Sequence, residues 1–340
     1  MPEIVKEHVL LAPYTTLGVG GAADYFAEVA NEEDLRRVMT WAHERALPII
    51  ILGGGSNALV GDSGVRGLVL RVTFSDVTFM YADTSVRVTA GAGVVFDELI
   101  ATVTAKKIWG LENLSSIPGT VGAVPVQNVG AYGVEVKDVI ESVTVYDVET
   151  GIVTDLPNHL CAFGYRDSLF KRPEGKKYII VRVTFLLSST PQPKLSYKDL
   201  QELFTDTAVP EVEHVREAVR SIRSSKFPDI RVVGTAGSFF KNPTIPKETH
   251  TQLLEQYPGL PGYAAGNDEV KIALGWVLDH VCGLKGYTQG NVGLYEKQAL
   301  VLVCKKGCTA DEIKKFSQEV IDVVYEKTEI RVEREVVLFE

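Results

Sequence analysis

Cysteine is scarce in this chain: Cys161, Cys282, Cys304 and Cys308 are the four among 340 residues. So few cannot frame a disulfide scaffold at this length, and a reducing compartment needs none. Cys304 and Cys308 have a spacing that could serve a metal. Yet Cys304 ends the apolar run Ala299–Val303 and no histidine follows closely, so buried structural cysteine is the plainer reading, and it extends to Cys282. No metal is expected. Basic residues are outnumbered, 35 Lys and Arg against 44 Asp and Glu for a net charge of -9, which removes the positive field that tracks nucleic acid. A long apolar run is missing too. The longest uncharged stretch, Asn113–Val134, carries Pro118, Pro125, four glycines, Gln127 and Asn128, and reads as a loop, not a membrane span. The first residues, Met1–His8, include early acids and no apolar core, so no leader is read there. These absences point to a cytoplasmic enzyme with no nucleic-acid or membrane partner; a monomer is expected.

With 45% hydrophobic and 23% charged residues, the chain has a globular composition, and its length suggests two or three domains. Asn31 is placed to cap a helix near 32–46, with Leu35, Val38, Met39 and Ala42 at helical spacing. Pro48 stops it. Ile49–Leu52 reads as a buried strand, Gly67–Val72 as another, and Val86–Thr89 alternates before a helix marked by Phe96, Leu99, Ile100 and Val103. Strands near 140–148 and 151–156, joined by Glu149-Thr150-Gly151, form a hairpin. Helices follow near 211–225, 245–257 and 269–282. Thr309 and Glu312 make a capping box ahead of Ile313, Phe316, Val320 and Val324, and Ile330–Phe339 closes the chain as a strand.

Three glycine clusters invite a nucleotide. Gly18–Ala23 fits the letters of a dinucleotide fingerprint, but a strand follows it and none precedes it, so a tight structural turn is favoured. Gly53, Gly54 and Gly55, followed by Ser56 and Asn57, come directly after the apolar run ending at Leu52. Glycines there let backbone N–H groups approach a diphosphate, although no Lys-Ser/Thr completes a Walker loop. Ser115–Gly133 offers small residues and uncharged amides suited to a flat ring system. Two such loops, one β-α module apart, point to a large nucleotide cofactor.

The series Leu52–Asn57, Ile117-Pro118-Gly119, Pro125–Gly133, Tyr165-Arg166-Asp167-Ser168 and Gly237–Pro243 resembles the UDP-N-acetylenolpyruvoylglucosamine reductase family in order and spacing across nearly the whole chain. The resemblance implies an α+β fold: a two-part FAD-binding domain of the vanillyl-alcohol-oxidase type, over 1–72 and 73–218, and a C-terminal α/β substrate domain over 219–328. Residues 329–340 would form a terminal strand returning to the active site. It implies non-covalent FAD, NADPH as co-substrate and UDP-N-acetylglucosamine enolpyruvate as the small-molecule substrate, in bacterial peptidoglycan synthesis.

Adding hydride to the vinyl carbon piles negative charge onto the α-carbon and its carboxylate, so such a site needs cationic or acidic groups and a proton donor. The resemblance assigns these roles to Arg166 for the carboxylate, Ser238 for the proton and Glu335 for the enolate, with Glu333 competing in the same short motif. Cofactor contacts fall on Gly53, Gly54, Gly55, Ser56, Asn57, Ser116, Ile117, Pro118, Gly119, Gly122, Ala123, Gln127, Asn128 and Gly130. Substrate contacts fall on Tyr132, Tyr197, Lys226, Asn242, Lys285 and Gln298, with the Tyr197 segment marking the longer subclass whose tyrosine loop covers the nucleotide. Thr15-Thr16, Leu274 and Val337 depart from the family pattern. Taken without the family, Ser238 reads as a turn serine, Arg166 as an ion-pair partner and Glu335 as a solvated strand residue. Another flavin oxidoreductase of the same fold, such as a sugar or lactone oxidase, would favour a covalent flavin, and neither glycine loop carries a histidine for that bond. A non-catalytic nucleotide sensor would have lost Ser238 or Arg166, and both are present.

Overall fold

The computed structural model describes residues 1–205, 209–266 and 268–340. Its two compact units interleave in sequence. The first comprises Met1–Val9, Ala23–Gly54 and Arg66–Arg223, and the second Leu10–Ala22, Gly55–Val65 and Ser224–Glu340.

In the first unit, Asn31 caps the helix Glu32–His43 as expected, its Oδ1 accepting from the Asp34 N–H at 2.9 Å. The helix ends before 46 because Ala46 takes a left-handed φ of 50° and the Leu47 N–H returns to the Ala42 carbonyl. Leu35, Val38, Met39 and Ala42 are buried against a four-stranded sheet, ordered Val5–Leu10, Ala22–Val29, Val65–Val72, Ile49–Ile51. The isoleucine strand was expected to be buried. It lies at the sheet edge with one neighbour, and Ile51 is 39% exposed.

A second, antiparallel sheet runs in the order Val153–Pro157, Ile140–Asp147, Tyr178–Ser188, Ser85–Gly91, Val77–Tyr81. The expected hairpin turns on Asp147, whose Oδ1 accepts from the Glu149 and Thr150 N–H groups, and on Gly151 at φ 68°. Helix Phe96–Ala105 buries Phe96, Leu99, Ile100 and Val103 in one core with Val88, Val183 and Phe185. Each such side chain contributes about 1.5–3 kcal/mol on burial.

The second unit holds a sheet ordered Gly234–Ser238, Gln298–Cys304, Val292–Tyr295, Thr288–Gln289, and a three-stranded one ordered Thr244–Pro246, Glu269–Ile272, Gly262–Ala264. Helix Ala310–Thr328 starts at the predicted capping box: the Glu312 N–H donates to Thr309 Oγ1 and the Thr309 N–H to Glu312 Oε2. Ile313, Phe316, Val320 and Val324 then enter the core with Leu294 and Leu302. The helix expected near 269–282 is absent in that form. Glu269–Ile272 is a strand with a ladder on each side, and only Leu274–Trp276 and a π turn at Val277–Val281 are helical. The closing strand is also shorter than expected. Arg334 bridges to Phe240, and the chain then changes partners so that Val337–Phe339 runs parallel to Ala58–Val60. The Gly18–Ala23 cluster is a structural turn, where a Cβ on Gly21 would meet the Asp62 carbonyl at 2.3 Å. Among the described residues no helix is long and apolar enough to cross a membrane.

Candidate active site

In the first unit, backbone approaches backbone where the glycine loops meet. A Cβ on Gly54 would lie 2.9 Å from Gly119 Cα, one on Gly53 3.1 Å from Thr120 Oγ1, and one on Gly122 2.6 Å from Ala92 Cβ. Among the described residues, the N–H groups of Gly53, Gly54, Ile117 and Gly119 donate to no protein acceptor. In the second unit the Gly55 N–H is likewise unused, and Gly55 has a φ of 64°, where a Cβ would meet the Tyr14 carbonyl at 1.9 Å. Unused backbone N–H donors on residues without bulky side chains suit an anionic diphosphate. Ala123 closes a short 3-10 turn through its N–H to Thr120, and Pro118 and Gln127 lie on the same run of loop.

Among the described residues, four of the ten non-glycine residues with positive φ are candidate site residues: Ser116 (59°), Asn128 (44°), Tyr132 (49°) and Arg166 (53°). Such backbone costs about 1–3 kcal/mol per residue and persists only where the surroundings over-determine it. Those surroundings are specific. The Ser116 N–H donates to Asp97 Oδ1 at 2.6 Å, and its carbonyl accepts from Arg223 Nε at 3.2 Å. Burial works against the Asp97 carboxylate, but Arg216 at 2.7 and 3.0 Å and the Ser116 N–H outweigh it and hold its pKa below 3.8. Asn128 is fully buried: its Nδ2 donates to Glu135 Oε2 and to the Gly164 carbonyl, and its Oδ1 accepts from the Lys137 N–H. Its side chain therefore builds the loop that presents Arg166. Arg166 Nη2 donates to the Gly130 carbonyl at 3.2 Å, with its guanidinium 5.6 Å from the Tyr165 ring.

Tyr132 and Tyr197 meet edge to face, 5.2 Å between centroids. Burial pushes the Tyr132 hydroxyl up to about 12 despite the opposing charge of Arg223, which hydrogen-bonds it, so it stays a neutral phenol. Desolvation in turn pulls Arg223 below its usual value.

In the second unit, Ser238 ends its strand opposite Val301, after a register shift and Gly237 at φ 72°. The Glu335 N–H donates to the neighbouring Phe239 carbonyl at 2.8 Å, and the Glu335 carbonyl accepts from Asn57 Nδ2 at 3.2 Å. Ser238 and Glu335 are thus carried by adjoining backbone, with Asn57 holding one side; Ser56 precedes it. Asn242 Oδ1 accepts from the Leu274 N–H, and a Cβ on Gly275 would lie 2.9 Å from Gln298 Oε1, so Asn242 and Gln298 flank one turn. Leu274, the departure from the family pattern, is a core residue. Lys285 pairs with Asp279 at 2.8 Å, and Lys226 ends the helix Val212–Lys226.

Sequence reasoning missed Arg223, Asp97 and Asn113. Arg223 stands one helical turn before Lys226, which is the only local signal any of the three carries.

The chain is 42% identical to UDP-N-acetylenolpyruvoylglucosamine reductase of Ralstonia nicotianae over 98% of this chain and 99% of that protein. It belongs to the UDP-N-acetylenolpyruvoylglucosamine reductase family. The reductase of that name from Pseudomonas aeruginosa is 38% identical over 97% of this chain and 98% of its own. A family model described as an FAD binding domain matches residues 23–156, and one described as the C-terminal domain of UDP-N-acetylenolpyruvoylglucosamine reductase matches residues 228–339. The crystal structure of the reductase from Thermus caldophilus aligns with a TM-score of 0.69 at 27% identity, over 98% of each chain. The fold is the α+β class expected, an FAD-binding domain followed by the family's C-terminal domain, and the chain is an FAD-dependent oxidoreductase.

Proposed function

We propose that this chain reduces UDP-N-acetylglucosamine enolpyruvate to UDP-N-acetylmuramate for peptidoglycan synthesis, with FAD held non-covalently and NADPH as co-substrate. Family membership over the full length carries this reading. When bound, FAD supplies the hydride relay from the nicotinamide to the vinyl carbon. Hydride and a proton add across the double bond, and the chain's own residues manage the charge and the proton. Arg166, aimed by the Asn128 loop, holds the substrate carboxylate. Ser238 Oγ delivers a proton to the α-carbon, and the Glu335 carboxyl donates a hydrogen bond to the developing enolate.

The structure favours Glu335 over Glu333 for that role. Glu333 is exposed, its side chain 73% so and paired with Lys241 at 2.8 Å, whereas Glu335 is half-buried on backbone bonded to the Phe239 carbonyl and to Asn57 Nδ2. Gly53–Asn57 and Ser116–Gly130 would cradle the cofactor. Tyr132, Tyr197, Lys226, Asn242, Lys285 and Gln298 would hold the UDP-sugar, Lys285 exchanging Asp279 for a phosphate.

The FAD part is assigned to 1–72 and 73–218, the substrate part to 219–328, and 329–340 to a returning segment. The compact unit bearing Ser238 also takes in 10–22 and 55–65. We further assign the chain to the cytoplasm, as a monomer without nucleic-acid or membrane partners.

Ser238→Ala tests the proposal. Anaerobic reduction by NADPH should proceed within about twofold of the parent rate, while reoxidation by the enolpyruvyl substrate slows by about 10²–10⁴. Equal loss in both half-reactions removes Ser238 from proton delivery.

A further inference from the structure

Asn113 is 1% exposed and sits in a short turn, Glu112–Leu114, that is itself fixed. Glu112 Oε2 accepts from the Gly110 N–H at 2.7 Å, Ser115 Oγ donates to the Glu112 carbonyl at 2.6 Å, and Leu111 and Leu114 are in the core. From this post the Asn113 amide reaches in two directions. Nδ2 donates to the Tyr132 carbonyl at 2.9 Å and to the Lys194 carbonyl at 2.8 Å. Both partners are pure acceptors, so the amide orientation is determined and both its hydrogens are used. Its Oδ1, by contrast, has no hydrogen-bond partner among the described residues. A buried acceptor left unmet costs stability, so this amide is not what packing alone would select.

The two carbonyls belong to the two tyrosine-bearing segments. Tyr132 has left-handed backbone, and Lys194 lies three residues before Tyr197 in a stretch without helix or strand. The geometry points to Asn113 as a positioning residue: one side chain ties the Tyr132 loop to the Tyr197 segment and so sets the edge-to-face pair that receives the sugar nucleotide. This rests on the proposed function, in which Tyr132 and Tyr197 contact that substrate. Asn113 touches neither substrate nor cofactor in this role.

The test uses the FAD-bound full chain. Asn113→Asp is nearly isosteric and removes both N–H donors. The KM for UDP-N-acetylglucosamine enolpyruvate should rise about tenfold, the scale of one or two lost hydrogen bonds, while flavin reduction by NADPH changes less than about twofold. In the Tyr132→Ala/Tyr197→Ala background, Asn113→Asp should add less than about twofold to KM, because its effect passes through those two tyrosines. Additive effects overturn the proposal, as does equal loss in both half-reactions. If Asn113→Asp and the one-donor variant Asn113→Ser both fail to fold with FAD, Asn113 is a core post and the proposal also fails. An unchanged KM in Tyr197→Ala alone would instead sink the assignment of Tyr197 to the substrate, and this inference with it.

Discussion

The two units hold their candidate residues by opposite means. In the first, Ser116, Asn128, Tyr132 and Arg166 sit on loops in left-handed backbone, fixed by side chains that arrive from distant sequence. In the second, Ser238 and Glu335 sit on or beside strands, and ladder hydrogen bonds fix them. A loop residue can be aimed anywhere, but each aim consumes a partner: Asp97 for Ser116, Asn113 for Tyr132. A residue on or beside a strand takes most of its aim from the sheet itself, as Ser238 does opposite Val301, and Glu335 adds one clasp from Asn57.

That contrast breaks most sharply at the chain terminus. Glu335→Gln should slow reoxidation by the substrate by about 10²–10⁴, whereas Glu333→Gln, which loses a surface ion pair with Lys241, should leave turnover within about twofold. Stopped-flow traces of both variants decide it; comparable losses would mean that the half-buried position of Glu335 does not set it apart from Glu333.

Next in size is a pair of glycines. Gly55→Ala puts a Cβ 1.9 Å from the Tyr14 carbonyl at φ 64°, and should lower unfolding stability by about 2–4 kcal/mol. Gly237→Ala, at φ 72° with open space, should cost about 1–2 kcal/mol. Thermal unfolding of the FAD-loaded proteins measures both, and equal costs would show that left-handed backbone, not close approach, rules each site.

The smallest effect concerns acid. The folded Asp97 pKa lies below its ordinary 3.8, so its stabilisation is fully present above that value and is lost as pH falls through the folded pKa. Asp97→Asn should therefore lower Tm at pH 7 by the equivalent of about 1 kcal/mol and converge on the parent at low pH. A constant gap across pH would assign the loss to packing instead.

Local chemistry was legible in the sequence where cause and effect lie close together. The Asn31 cap, the capping box of Thr309 and Glu312, and the hairpin turn at Glu149-Thr150-Gly151 each settle within a few residues, and each was read correctly. The 269–282 stretch was not, because Val270 and Ile272 are too few to set a period, and the ladders that decide them come from 244–246 and 262–264. The long central strand Tyr178–Ser188 also went unread. Within the site, motifs placed the candidates on loops and strands, yet nothing local marks Asn113, whose meaning is a carbonyl 81 positions away. Nor does anything near Asp97 announce Arg216.

The parallel pairing of Val337–Phe339 with Ala58–Val60 bears on the order of folding. Asn57 and Glu335, clasped beside that pair, are 278 residues apart. Closing so long a loop is thermodynamically mild, since each doubling of length adds only about 0.6 kcal/mol, but contacts this remote form late. Until they do, Ala58–Val60 is an apolar strand with an open edge, and the second unit lacks its last partner. Placement of Glu335, the proposed acid, is then a late event of folding, and a chain halted before it would have formed its glycine loops without that carboxyl in place.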